Sequence, residues 1–305
     1  MQVPDIELSE LRYFHCVATS RSFAEGARRA HVSASTVSKA IKKLEEALGA
    51  VLLDRSSRQV ALTEVGEIAF EHATRVLGSL HQLVNATDDA LGRVRGDLHL
   101  GSTEEFAADA LPRTLSRLAQ EHPELRVHTY LMGPQEVERR LLEGELDLGL
   151  VTGVAPVAAE LESEVLLCSP ERLICGRQHP LFAAGQVDPE ALVQFPFVVP
   201  RYFGEHTPGD RYPKGGPPRT IGATVELVQM AVQMVLEGHF LAYLPEVMIR
   251  CQLNHDELRP VECLRTTHQT ELSAWRRPGV STRNRVVLTA LRSALEESLQ
   301  RECPV

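Results

Sequence analysis

Short hydroxyl and ammonium side chains recur along SASTVSKAIKKLEEAL, which covers residues 33–48. Apolar residues in this stretch follow at intervals of four, three and four, which predicts a helix with one buried face. Those residues are Val37, Ile41, Leu44 and Leu48. The other face then carries hydroxyls and lysines, namely Ser35, Lys39 and Lys42, flanked by Thr36, Ser38 and Lys43. Such a face has the chemistry to contact phosphate groups and the edges of bases.

Two shorter helices precede this segment, and a basic hairpin follows it. Apolar spacing predicts one helix around residues 8–18 and a second in FAEGARRA. Ser33 is the predicted N-cap of the third helix, and Gly49 ends that helix. In VLLDRSSRQVALT, two apolar runs flank a tip that holds Arg55 and Arg58. This order of elements is typical of a winged helix-turn-helix, in which the second helix of the motif enters the major groove of DNA.

The distribution of charge agrees with an N-terminal domain, called the head below and covering residues 1–62, that contacts phosphate. The whole chain has a net charge of −9, whereas residues 1–62 hold nine basic and seven acidic residues. We therefore predict that residues 1–62 are the DNA-binding domain. The predicted DNA contacts are Ser33, Ala34, Ser35, Thr36, Ser38, Lys39, Lys42, Lys43, Arg55 and Arg58. No Gln, Asn or Arg stands in this helix, so contacts to thymine methyl groups and the shape of the site are expected to provide specificity.

The 56 residues from Leu11 to Gly66 resemble the N-terminal domain of the LysR-type transcriptional regulators. The matching residues are Leu11, Phe14, Val17, Ser22, Phe23, Ala27, Ala30, Val32, Ser33, Ser38, Ile41, Leu44, Glu45, Leu48, Gly49, Leu52, Arg55, Leu62, Thr63 and Gly66. The resemblance implies a homodimer or homotetramer that reads an interrupted palindrome in double-stranded DNA and responds to a small-molecule effector. It also allows RNA polymerase as a partner. Where the family usually begins its recognition helix with Gln and then Pro or Ser, this chain has Ala34–Ser35.

A long amphipathic segment follows the hairpin, and we predict a linker helix over residues 63–93. Thr63 is its expected N-cap, and Glu64 and Glu67 suit the positive end of the helix dipole. Its apolar stripe favours pairing with a second copy of the chain. The alternative is that the helix packs on the C-terminal domain of its own chain, called the body below and beginning at residue 94. Gly96 in RVRGD interrupts the helical pattern and is the predicted hinge.

From residue 94 to residue 305 the pattern changes to strands alternating with helices. Repeated βα units predict a parallel sheet with helices on both faces. We expect two α/β subdomains, residues 94–162 plus 267–305 and residues 163–266, with the chain crossing over near residue 163. This layout resembles the periplasmic-binding-protein-like effector domain of the LysR family. The predicted fold class is therefore α/β, with an N-terminal winged helix-turn-helix and a long linker helix.

Candidate effector-binding residues lie where predicted strands end, because ligands of open α/β sheets bind beyond the carboxyl ends of the strands. They are Ser102, Thr103, Gly133, Pro134, Thr152, Arg201, Tyr202 and Thr224. By resemblance, Ser102, Thr103 and Thr224 match positions of small hydroxyl residues near the family's effector. Helix capping is the alternative role of these hydroxyls. Glu104 and Glu105 would repel a carboxylate ligand if they faced inward, and they would favour a helix N-terminus if they faced solvent.

Other functions have weaker support in the sequence. Cys168 and Cys175 flank a predicted loop and suggest a thiol-based redox sensor as the alternative, although nothing nearby would lower a thiol pKa. The body alone suggests a solute-binding protein, but the N-terminus MQVPDIELSE lacks the basic and apolar regions of a secretory signal, which favours the cytoplasm. We find no catalytic motif and no metal-ligand spacing, so we expect neither an enzyme nor a resident cofactor or metal.

Overall fold

A computed structural model of the chain describes residues 5–54, 60–107, 109–184, 186–201, 212–213, 215–263, 268–279 and 281–300. The chain divides into two compact units. The first unit extends to Thr87 and includes Glu143–Glu145, and the second unit holds the rest of the chain from Asp88 onward. None of the helices in the described ranges has the length and apolar character required to cross a membrane.

The first unit consists of helices and one short hairpin. Its elements are α1 (Leu8–Ser20), α2 (Phe23–Ala30), α3 (Ala34–Leu48), β1 (Leu53–Asp54), β2 (Ala61–Leu62) and α4 (Glu64–Ala90), whose last turn belongs to the second unit. β1 and β2 pair antiparallel. Phe14, Val17, Val37, Ile41 and Leu44 are fully buried in one apolar core. The predicted winged helix-turn-helix is therefore present in the described part of this unit.

Local sequence signals define the ends of these helices as predicted. The Ser33 hydroxyl accepts a hydrogen bond from the Thr36 amide at 3.1 Å, which is an N-cap contact. Gly49 follows α3 with a φ of 66°, a conformation that glycine adopts at low cost. Thr63 caps α4 by accepting from the Gly66 amide at 2.9 Å. In α2, a Cβ at Gly26 would lie 2.9 Å from the Cα of Val17, so only glycine lets α1 and α2 pack this closely.

The second unit is built on one seven-stranded sheet and one two-stranded sheet. Its strands are β3 (Gly96–Ser102), β4 (Leu125–Leu131), β5 (Leu148–Thr152), β6 (Glu162–Gly176), β7 (Pro196–Pro200), β8 (Thr220–Val225), β9 (Ala242–Pro245), β10 (Leu258–Pro260) and β11 (Gln269–Arg276). Its helices are α5 (Glu104–Ala107), α6 (Ala110–Glu121), α7 (Pro134–Glu143), α8 (Val228–Leu236), α9 (Glu246–Asn254) and α10 (Thr282–Gln300), with a 3₁₀ helix at Pro189–Gln194.

The sequence predicted a parallel sheet, but the large sheet is mixed. β3 pairs in parallel with β4 and β5, but β11 pairs antiparallel with β5 and β6. The antiparallel strands are those that connect the two subdomains, so they do not belong to βα units. The parallel pair β7 and β8 forms the two-stranded sheet of the second subdomain.

The two subdomains share the long strand β6. Its residues up to Pro170 pair with β11, and those from Glu171 onward pair with β9 and β10. The change of partner thus lies about seven residues after the crossing that we predicted near residue 163, because the strand continues unbroken into the second subdomain. Each subdomain has its own apolar core, one around Leu100 and Leu150 and the other around Val232 and Leu244.

The end of the linker helix also differs from our prediction. α4 ends at Ala90, before residue 93, and Gly96 begins β3 with a φ of 83°. Arg93 and Arg95 both lie near Asp88, and the Arg95 guanidinium donates to that carboxylate at 2.9 Å. The helix ends because Gly92 adopts a φ of 63° and the Arg93 amide donates to the Asp88 carbonyl at 2.9 Å, a C-terminal capping arrangement.

Candidate nucleic-acid interface and ligand cleft

The N-terminal turn of α3 presents a cluster of exposed hydroxyls. Ser33, Ser35 and Thr36 are exposed, and the Ser33 hydroxyl lies 2.8 Å from the hydroxyl oxygens of both neighbours. The buried face of the helix packs into the core through Val37 and Ile41. The apolar spacing therefore turns the hydroxyls outward, and the cap bond holds them at the start of the helix.

The three lysines of α3 have different surroundings. The Lys43 ammonium lies 2.7 Å from a carboxylate oxygen of Glu7 and 2.9 Å from one of Glu10, and these bonds raise the pKa of Lys43. Lys42 forms a longer, exposed pair with Glu46 at 3.6 Å. Lys39 is exposed and has no ion pair among the described residues. Of the three, Lys39 is thus the most available to an external anion.

The ion pair of Lys43 is a feature that we did not predict. Glu10 is only 2% exposed, and its carboxylate also accepts from the backbone amide of Glu7 at 3.1 Å. Lys43 therefore ties α3 to the start of α1, and a DNA contact by this residue would compete with that bond. The other predicted contacts at the wing, Arg55 and Arg58, lie outside the described residues.

Helix α4 carries an exposed apolar stripe. The exposed side chains are Val65, Ile68, Val76, Leu80, Leu83 and Val84. Leu91, just after the helix, is exposed as well. Leu83 has 63% of its surface exposed, although leucine is usually buried. An apolar stripe of this length on a helix is typical of a surface that pairs with another chain.

The strand ends of the first subdomain form a buried polar cluster. Ser102, Thr103 and Thr152 are each no more than 3% exposed. The Thr103 hydroxyl donates to the Thr152 hydroxyl at 3.1 Å, and the Ser102 hydroxyl donates to the Thr103 carbonyl at 2.7 Å. Gly133 and Pro134 are also buried, at the start of α7. The predicted residues of this subdomain therefore lie at the carboxyl ends of β3, β4 and β5.

Glu105 belongs to the same cluster and does not face solvent. Glu105 is 7% exposed, and burial raises the pKa of its carboxyl group, while hydrogen bonds with Thr103 and Thr152 act in the opposite direction. Its Oε2 atom has no hydrogen-bond partner among the described residues. A buried acceptor without a partner is costly, so this carboxyl group is suited to a hydrogen-bond donor from outside the chain.

The second subdomain brings two of its predicted residues together. The Arg201 guanidinium donates to the Thr224 hydroxyl at 3.0 Å, and the Arg201 amide donates to the Val225 carbonyl at 2.7 Å. Tyr202 lies outside the described residues. Val225 is the last residue of β8, and helix α8 begins at Val228.

Glu104 connects the two subdomains. Its carboxylate accepts hydrogen bonds from the backbone amides of Val228 and Gln229, at 2.5 and 2.9 Å, at the N-terminus of α8. Of the two predicted orientations of Glu104, the inward one is observed, and the carboxylate is bonded to α8. No local pattern in the sequence indicated this contact, because the partners are 124 and 125 residues apart.

The two cysteines of the redox alternative are far apart on one strand. Both lie in β6, and seven extended residues span about 23 Å. Cys168 is exposed, whereas Cys175 is buried and its pKa is raised to about 11 by that burial. A disulfide requires Cα atoms within about 7 Å, so these thiols do not bond to each other in this conformation. Within the described ranges, no His, Cys, Asp and Glu side chains gather as a metal site requires.

The winged helix-turn-helix, the long helix and the two-part α/β unit together define the class, a helix-turn-helix protein with a two-part α/β domain. The comparisons with known proteins identify the family. Residues 91–296 match the model of the LysR substrate binding domain, and residues 8–67 match that of the bacterial regulatory helix-turn-helix protein, lysR family. The chain belongs to the LysR family of transcriptional regulators, so the resemblance stated from the sequence is confirmed.

Individual relatives are similar over part of the chain. A probable RuBisCO transcriptional regulator from Thalassiosira pseudonana is 30% identical over 175 residues, which is 57% of each protein. An uncharacterized HTH-type transcriptional regulator, YnfL of Escherichia coli (strain K12), is 32% identical over 66% of this chain and 67% of its own length. BenM of Acinetobacter baylyi is 28% identical over 79% of this chain and 80% of its own length.

Solved structures share the fold. The CbnR protein complexed with its target DNA has a TM-score of 0.65 at 20% identity, covering 96% of this chain and 100% of that one. A full-length OxyR variant from Pseudomonas aeruginosa has a TM-score of 0.66 at 21% identity, covering 95% of both chains. At these identities the likeness concerns the fold, and the predicted fold class is confirmed.

Proposed function

We propose that this protein is a DNA-binding transcriptional regulator of the LysR type, controlled by a small molecule that binds between the two α/β subdomains. One observation carries the DNA-binding part. The capped helix α3 buries its apolar face and leaves Ser35, Thr36 and Lys39 exposed on the other. This is the presentation that a recognition helix requires in the major groove.

The proposal assigns different roles to residues that the sequence prediction grouped together as DNA contacts. Lys39 is assigned to phosphate, because it has no ion pair among the described residues. Thr36 and Ala34 are assigned to base edges, where a methyl group meets the methyl of thymine. Lys43 is assigned to the fold of the head, since Glu7 and Glu10 hold its ammonium group. Arg55 and Arg58 remain proposed contacts of the wing.

The active species is proposed to be a homodimer or homotetramer that pairs through α4. The support is the exposed apolar stripe that includes Val76, Leu80 and Leu83. Two heads on one dimer would read two half-sites of an interrupted palindrome. The solved complex of full-length CbnR with its target DNA supports DNA binding by a protein of this fold.

The ligand cleft is proposed to bind an effector and not to catalyse a reaction. Its support is the polar cluster of Ser102, Thr103 and Thr152 at strand ends of one subdomain, together with the pair of Arg201 and Thr224 at strand ends of the other. An effector acts by binding the open and closed arrangements of the subdomains with different affinity. We propose a cytoplasmic protein without a resident cofactor, whose effector belongs to the pathway that it controls.

A gel-shift titration with DNA from upstream of its own gene tests this proposal. We expect sequence-preferring binding whose affinity falls as salt rises, since phosphate contacts release counterions. Equal binding to unrelated DNA of the same length, or no binding at low salt, would contradict it. A thermal-shift screen of pathway metabolites tests the cleft, because a ligand at a hundredfold excess over Kd adds about 2.7 kcal/mol of stability.

A further inference from the structure

Helix α8 does not supply its own N-terminal cap. Its N-cap residue is Leu227, whose side chain forms no capping hydrogen bond, and its first turn has no acidic residue. The amides of Met230 and Ala231 donate to the Leu227 carbonyl, so the helix itself satisfies these two. The first amides of the helix thus need an acceptor from elsewhere, because a helix leaves its N-terminal N–H groups unpaired.

That acceptor is a carboxylate from the other subdomain. Glu104 follows β3, and its two oxygens accept separately from the amides of Val228 and Gln229. A negative charge at this position also interacts favourably with the helix dipole. Helix N-termini at the strand ends of open α/β folds are where such folds bind anionic ligands. Glu104 therefore has the position that the carboxylate of a ligand would otherwise take.

A second carboxyl group stands beside the first. Glu105, the next residue, is only 7% exposed and lies next to Thr103 and Thr152, and its Oε2 has no hydrogen-bond partner in the part of the chain that the structure describes. The first subdomain thus contributes acceptors to the polar cluster, and a ligand carboxylate would meet two acidic residues there. A group that donates hydrogen bonds would instead complete the unsatisfied acceptor.

We propose that Glu104 is a built-in carboxylate ligand of α8, which holds the two subdomains together without an effector and excludes the carboxylate of an effector from these amides. The effector then presents a neutral or cationic hydrogen-bond donor to the first subdomain. This inference rests on the proposed function, since it assigns a ligand class to the same cleft.

Chemical rescue of Glu104→Ala in the full-length chain tests the inference. The variant exposes two amides, and we expect its Tm to fall by about 3–6 °C. Sodium acetate should then restore part of the loss in a saturable way, compared with sodium chloride at equal ionic strength. The wild-type protein should not respond to acetate, because its amides are occupied.

Two further variants control the experiment. Glu226→Ala removes the same charge close to the same helix, and Glu226 is exposed and has no hydrogen bond or ion pair among the described residues. We expect it to keep the wild-type Tm and to ignore acetate. Glu104→Gln keeps one acceptor and fills the space. Its Tm should therefore lie between those of wild type and Glu104→Ala, and acetate should not raise it. This variant replaces Glu104→Ala if the alanine variant does not fold.

The outcomes separate this inference from the proposed function. An unchanged Tm for Glu104→Ala, or an equal acetate response of wild type and variant, would overturn the built-in ligand. If the wild type binds its upstream DNA in that case, the regulatory function stands. Absence of DNA binding together with specific acetate rescue would overturn the function and leave the internal contact in place.

Discussion

At the scale of single residues, burial and pairing distinguish side chains of the same type. Lys39, Lys42 and Lys43 all lie on the exposed side of α3, but only Lys43 joins two carboxylates of α1. Glu104 and Glu105 are neighbours in sequence, yet one caps α8 and the other is buried with the threonines of the strand ends. Residue type alone therefore does not assign a role to these lysines or to these glutamates.

Replacement of Lys39 with alanine should weaken binding to all DNA sequences by a similar factor. A phosphate contact carries little sequence information, and its loss should lower the slope of log affinity against log salt by about 1. Gel shifts at several salt concentrations, with target and unrelated DNA, measure both effects. A loss confined to the target sequence would show that Lys39 reads a base.

Replacement of Lys43 with methionine should instead lower the stability of the head. The change leaves the nearly buried Glu10 without its cation, and an unpaired buried carboxylate is unfavourable. We expect a lower Tm, with a DNA affinity close to that of wild type once the protein is folded. The same gel shift and a thermal melt distinguish the two lysines, and an unchanged Tm with weaker DNA binding would contradict this assignment.

At the scale of elements, the ends of helices depend on specific hydrogen bonds. Ser33→Ala should destabilise the protein by about 1 kcal/mol, because it removes the acceptor of the Thr36 amide. Ser35→Ala is the matched control, since its hydroxyl bonds to Ser33 on the surface and does not cap the helix. Urea unfolding measures both changes, and equal losses would contradict the capping role.

The extended strand β6 argues against a redox sensor that uses Cys168 and Cys175. Because its extended backbone separates Cys168 from Cys175, the double serine variant should keep the response of the regulator to peroxide unchanged. Target-gene expression in cells with and without peroxide measures this. A response that depends on both cysteines would mean that β6 rearranges in the oxidised protein.

At the scale of the whole molecule, the exposed stripe of α4 predicts assembly. Leu83→Asp should shift the protein toward monomer in sedimentation experiments, since it introduces a charge into an apolar contact. Glu67→Lys is the control, because it changes an exposed charge about 160° around the helix from Leu83. Equal dissociation by both variants, or by neither, would contradict pairing through this stripe.

The sequence by itself determined the helices of the N-terminal domain and the order of the domains along the chain. Helix spacing, the caps at Ser33 and Thr63 and the glycine after α3 are local, so short-range sterics and hydrogen bonding are enough to predict them. The strand ends with Ser102, Thr103 and Thr152 also followed from sequence, because alternating βα units bring such ends to one edge.

Only the tertiary structure decided which polar groups meet. The pairing of Lys43 with Glu7 and Glu10 depends on how α3 packs against α1, and the capping of α8 by Glu104 joins residues 124 apart. The mixed sheet likewise depends on where β6 changes partner. Contacts between distant segments follow from the packing of whole elements, which local spacing does not encode.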